Sequence, residues 1–150
     1  MLRKWGLAVA LLGFALLVSG PVRAGDDDAK MAAIGGLSAS FLVQTYLNIG
    51  LVADASAQKD ANKEQQEGVL TTVENLLGTT QKQLDDLLKG EIKDEDKAFL
   101  KKIKVCYAML DEEISTLHAF WKDKSEENGK AFDQARQAAW KKISATLGIK

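Results

Sequence analysis

Two residues in this chain could attack or deprotonate a substrate: Cys106, its single cysteine, and His118, its single histidine. A cysteine–histidine pair works only within hydrogen-bond reach, because the imidazole must take the thiol proton. These two are twelve positions apart on one expected helix. That spacing separates them by roughly 18 Å at ~1.5 Å per residue. Cys106 also falls in the middle of an apolar stripe, where a small core residue is expected. His118 lies on the flank of that stripe, in line with Leu100 and Tyr107.

Metal and cofactor chemistry fares no better. Covalent haem attachment needs Cys-x-x-Cys-His, and Cys106 is followed by Tyr107, Ala108 and Met109. Non-covalent haem held by a methionine and a histidine fails on placement. Met31 stands at the far end of the first helix from His118, and Met109 shares a helix with His118 but not a face. A di-iron carboxylate bundle needs Glu-x-x-His motifs, and Ser115 stands three before His118. One histidine and one cysteine cannot make a structural zinc site. The run Asp26-Asp27-Asp28 reads as a solvated acidic leader. No phosphate loop, nucleophile elbow or paired-carboxylate signature is present. The sequence therefore assigns no catalytic, cofactor-binding or metal-binding residue.

Binding is the remaining chemistry. Tyr107, His118, Trp121, Phe132 and Trp140 come from the last two helices and are the candidate contacts for a small apolar ligand or a protein partner. Trp121 and Phe132 flank one connection and are expected to meet at one pole, as stacked core aromatics or as the walls of a cleft.

Those side chains must be held by helices. Arg3 and Lys4, then the apolar run Leu7–Val18, then Ser19-Gly20-Pro21 and Val22-Arg23-Ala24 have the layout of a secretory signal peptide cut after Ala24. The run is shorter than the roughly 20 residues that span a bilayer, which favours cleavage over retention as an anchor. The only proline, Pro21, leaves with this segment. Three of the 20 basic residues precede the cut and all 21 acidic ones follow it, leaving a net charge of −4. An acidic exported domain is a poor partner for nucleic acid, which selects basic faces.

Residues 25–150 then read as one all-α domain: an antiparallel up-down-up-down four-helix bundle with helices at about 28–58, 62–89, 94–123 and 125–147. In the second helix Val69, Val73, Leu76, Thr80, Leu84 and Leu87 form the expected stripe, widened by Leu70, Leu77 and Leu88. Phe99, Ile103, Cys106, Leu110, Ile114, Leu117 and Trp121 form it in the third, and Phe132, Ala135, Ala139, Ile143 and Leu147 in the fourth. Leu76 and Leu110 are both expected in the core. The first helix is unusual, because no residue from Met31 to Ala53 is charged. A helix without a charged face is enclosed, or it meets another surface. The leading expectation is that it is the most buried helix, with Gln44, Thr45 and Asn48 hydrogen-bonded inside. Contact with another subunit, giving a homo-oligomer through helix one, and contact with a membrane are the other two.

In sum, the sequence predicts an exported, periplasmic or secreted, non-enzymatic binding or interaction bundle. A small-ligand carrier, or a sensor-like bundle held by a retained signal segment, is the alternative.

Overall fold

The computed structural model describes residues 27–58 and 62–149. Residues 1–24, where a signal peptide is expected, lie outside them. Four helices and no strands occupy the described residues: α1 Asp27–Ser56, α2 Lys63–Lys89, α3 Asp94–Lys122 and α4 Glu126–Leu147.

Local chemistry sets their ends. Asn62 accepts a hydrogen bond from the Gln65 amide at 3.1 Å, which satisfies one orphan donor at the start of α2. Gly90 closes that helix by donating to Leu87 O. Asp94, Glu95 and Asp96 place negative charge on the first turn of α3, where the helix dipole favours it. Ser125 caps α4 through the Asn128 amide at 3.3 Å. Gly148 ends α4 at φ 68°, a left-handed conformation that costs glycine little.

The core is built around α3. Leu100, Ile103, Cys106, Tyr107, Leu110, Ile114 and Leu117 are all buried there. α3 packs against each of the other three helices, most extensively against α4, whereas α2 and α4 do not pack on each other. Contacts between α2 and α3 run in opposite numerical order: Glu74 meets His118, Gln81 meets Asp111 and Asp85 meets Lys104.

Two expectations about burial need correction. α3, not α1, is the most enclosed helix. α1 turns only Ser38, Leu42, Thr45, Ile49, Gly50 and Val52 inward, and of its three interior polar candidates only Thr45 is buried. Gln44 is exposed, and it donates to Asn48 Oδ1 at 3.2 Å. In α2 the buried line is Leu70, Val73, Leu77 and Leu84, whereas Leu76 is 49 % exposed and Val69 is also outside. Both stripes have helical spacing. Val73 and Leu84 belong to both, and packing turns the helix by roughly half of one residue's 100° toward the Leu70 and Leu77 side of the expected face.

Candidate functional site

α1 presents an uncharged face to water. Its buried residues Ser38, Leu42, Thr45, Ile49 and Val52 advance by four, three, four and three, and mark the inner side. On the opposite side Leu37 is 73 %, Leu47 50 % and Leu51 66 % exposed, with Ala33 and Gln44 between them. A solvated helix face ordinarily carries charge. This one carries none between Lys30 and Asp54. Gly36 adds open space beside Leu37, since a Cβ there would touch nothing. Among the described residues, α1 alone is long and apolar enough to cross a membrane by length and composition.

A second unusual region lies where α1, α3 and α4 meet, running from buried Glu113 and Gly50 out to half-buried Arg136 and exposed Trp140. Arg136 of α4 lays its guanidinium against Gly50 of α1, in space that a Cβ would fill. The guanidinium carbon is 5.6 Å from the centre of the Tyr46 ring. Tyr46 in turn stacks on Trp140, with centroids 5.0 Å apart. Glu113 of α3 is fully buried, and neither carboxylate oxygen has a hydrogen-bond partner. Burial pushes its pKa up to about 7, and the charge of Arg136 opposes that rise. Burial also works against the charge on Arg136, yet the nearby Tyr46, Glu113 and Asp54 raise its pKa on balance.

The residues singled out from sequence do not converge on one site. Tyr107 is wholly buried, points its hydroxyl at Ser38 O (3.5 Å) and lies 5.8 Å from the Phe41 ring. Burial raises its pKa to about 12. It offers no surface to a ligand. His118 Nε2 lies 3.0 Å from Glu74 Oε1, and its ring stands edge-on to Trp121 at 5.8 Å. The Trp121 indole N–H donates to Ser56 Oγ at 3.0 Å. Trp121 and Phe132 line separate cavities. Phe132 shares one of about 220 Å³ with Leu117, Phe120 and Arg136, whereas Trp121 shares one of about 80 Å³ with Ser56 and Lys63. The adjacent residues Phe120 and Trp121 point about 100° apart around α3, so only Phe120 can turn toward Phe132. Trp140 belongs with Tyr46 in the Arg136 corner.

Cys106 is buried, with Sγ 3.4 Å from Thr146 Oγ1. No group of three or more His, Cys, Asp or Glu side chains is placed to hold a metal among the described residues. Glu113, Arg136, Tyr46 and Gly50 were not singled out from sequence. One signal for Glu113 was present: it continues the buried line Cys106, Leu110 and Leu117 at helical spacing, where an acid is out of place.

Compared with protein-family models, curated proteins and solved structures, the chain matches none.

Proposed function

We propose that this is an exported, non-enzymatic helical-bundle interaction protein whose contact surface is the outward face of α1. The observation behind this reading is the exposure of Leu37, Leu47 and Leu51 on a face without charge. Leaving several apolar side chains together in water forgoes ~25 cal/mol for each Å² that a partner would cover. The reading includes removal of residues 1–24 during export and an up-down-up-down order of the helices. The reversed numerical order of the α2–α3 pairs supports that order.

A photo-crosslinking side chain at position 47, compared with one at exposed Glu112 on α3, tests the reading in the exporting cells. Adducts at 47 well above those at 112 are expected. Equal, background labelling at both positions would reject α1 as the contact face.

A second reading, a carrier of a small ligand, has its candidate site in the cavity of about 220 Å³ beside Phe120 and Phe132, which Asp54, Asp133 and Arg136 also line, so the ligand there would carry polar groups as well as apolar ones. The native mass of protein purified from its own host tests it: only apoprotein mass would reject a tightly held ligand.

A further inference from the structure

We infer that the α1 face is a seam for a second copy of this chain, docked antiparallel about a two-fold axis level with Leu42. This rests on the reading of α1 as the contact surface and names its occupant.

The argument begins with spacing. Lys30, Ala33, Leu37, Ser40, Gln44, Leu47, Leu51 and Asp54 step alternately by three and four. That is the 3.5-residue rhythm of a two-helix seam. Ser40 is half-buried and the other seven are exposed. The buried residues of α1 follow a separate line on the other side of the helix. The first helix thus carries two packing faces, of which its own bundle uses one.

Pairing the seam with itself in reverse makes every layer complementary. Leu37 packs beside the partner's Leu47. Ala33, small, packs beside the partner's Leu51, large. Ser40 packs beside the partner's Gln44, whose amide can donate and accept at once. At each end Lys30 meets the partner's Asp54, an opposite-charge pair. The parallel arrangement is worse, since it sets Lys30 against the partner's Lys30 and Asp54 against the partner's Asp54.

Size sets the expected strength. The seam is roughly 36 Å long and about 12 Å wide, which gives roughly 900 Å² over both copies. That is below the standard protein interface, so the dimer should be weak and should form with rising concentration.

The test uses the purified protein with Leu37→Cys in one preparation and Leu47→Cys in another. Cys106 is buried and can stay. In the antiparallel seam the two different cysteines are neighbours. Identical cysteines are roughly 15 Å apart along the axis, too far for the ~7 Å Cα limit of a disulfide. Mild oxidation of the mixture should therefore give several-fold more linked dimer than either variant alone. Equal linking of each variant to itself would show a parallel seam and overturn the inference.

A second measurement does not depend on oxidation. Lys30→Asp should lower the dimer fraction in sedimentation several-fold, and adding Asp54→Lys to the same chain should restore it. Monomer at every concentration, with no linked product, overturns the inference. In that case, adducts of another mass from a crosslinker at position 47 would leave α1 as a contact face and remove only the second copy. Capture by phosphatidylethanolamine–phosphatidylglycerol vesicles, lost on Leu47→Lys and without any dimer, would overturn it in favour of lipid.

Discussion

The outward face of α1 and the corner around Glu113 reverse the ordinary placement of side chains. At the first, leucines stand in water with no charge among them. At the second, a carboxylate lies in the core with no hydrogen bond to either oxygen. Each costs stability in an isolated chain, but by different physics. Exposed leucine forgoes a gain that a partner can supply later, at no strain to the fold. A buried acid pays desolvation at once, and only a proton or a nearby cation can reduce it. The α1 face therefore points outside the molecule for its explanation, and the Glu113 corner points to pH.

The largest effect should separate core from surface. Leu110 is fully buried on α3, whereas Leu76 on α2 is half in water. Leu110→Ala should cost ~2–5 kcal/mol, through lost transfer energy and the cavity left behind. Leu76→Ala should cost less than about 1 kcal/mol. Urea unfolding measures both. Equal losses would mean that α2 is rotated relative to α3.

Next comes Glu113. An acid with a higher pKa in the folded than in the unfolded chain keeps its proton longer when folded. Its contribution is most favourable below its ordinary value of 4.5, declines as pH rises to about 7, and is flat above that. The full decline is about 3 kcal/mol. Glu113→Gln removes the ionisation while keeping the shape. The variant should match the parent near pH 4.5 and exceed it in stability at about pH 8, by up to ~3 kcal/mol. A parent whose stability does not fall over this range would show that the carboxylate finds a partner in solution.

Arg136 sharpens the same point with a smaller effect. Its charge opposes the upward shift of Glu113. Arg136→Met should therefore move the decline to higher pH and deepen the loss at about pH 8 by roughly 1 kcal/mol. Gly50→Ala should act in the same direction, because the new methyl group would occupy the space of the guanidinium. No movement of the pH profile in either variant would uncouple Arg136 from Glu113.

The two regions also differ in how far the sequence disclosed them. Four helices were legible because charge patterning, the Asn62 and Ser125 caps and the glycines at 90 and 148 all agree with apolar spacing. The uncharged stretch of α1 was equally plain, but its meaning was not. Composition alone cannot distinguish a helix surrounded by its own bundle from one with a bare side, since both lack charge. In α2, Leu76 and Leu77 gave equally good stripes, and only the shape of α3 decides between them. The Arg136 corner was hidden for another reason. Gly50, Glu113 and Arg136 sit on three different helices, and nothing local links a missing Cβ on one to a guanidinium on another. The aromatic candidates failed similarly, because Phe120 and Trp121 are one position apart but face different cavities.

The smallest expected effect bears most directly on α1. Leu51 is two-thirds exposed, so Leu51→Lys should change the unfolding free energy of dilute protein by less than ~0.5 kcal/mol. A loss above ~2 kcal/mol would place Leu51 in the core and remove the contrast between the regions. Concentration gives the same substitution a second readout. If folded chains associate through this face, the unfolding midpoint of the parent rises with protein concentration, because only the folded state binds a partner. Leu51→Lys should abolish that rise and leave the dilute value untouched, whereas Glu113→Gln should shift the midpoint equally at all concentrations. A side chain that matters only when a neighbour is present belongs to a contact; one that matters at any dilution belongs to the fold.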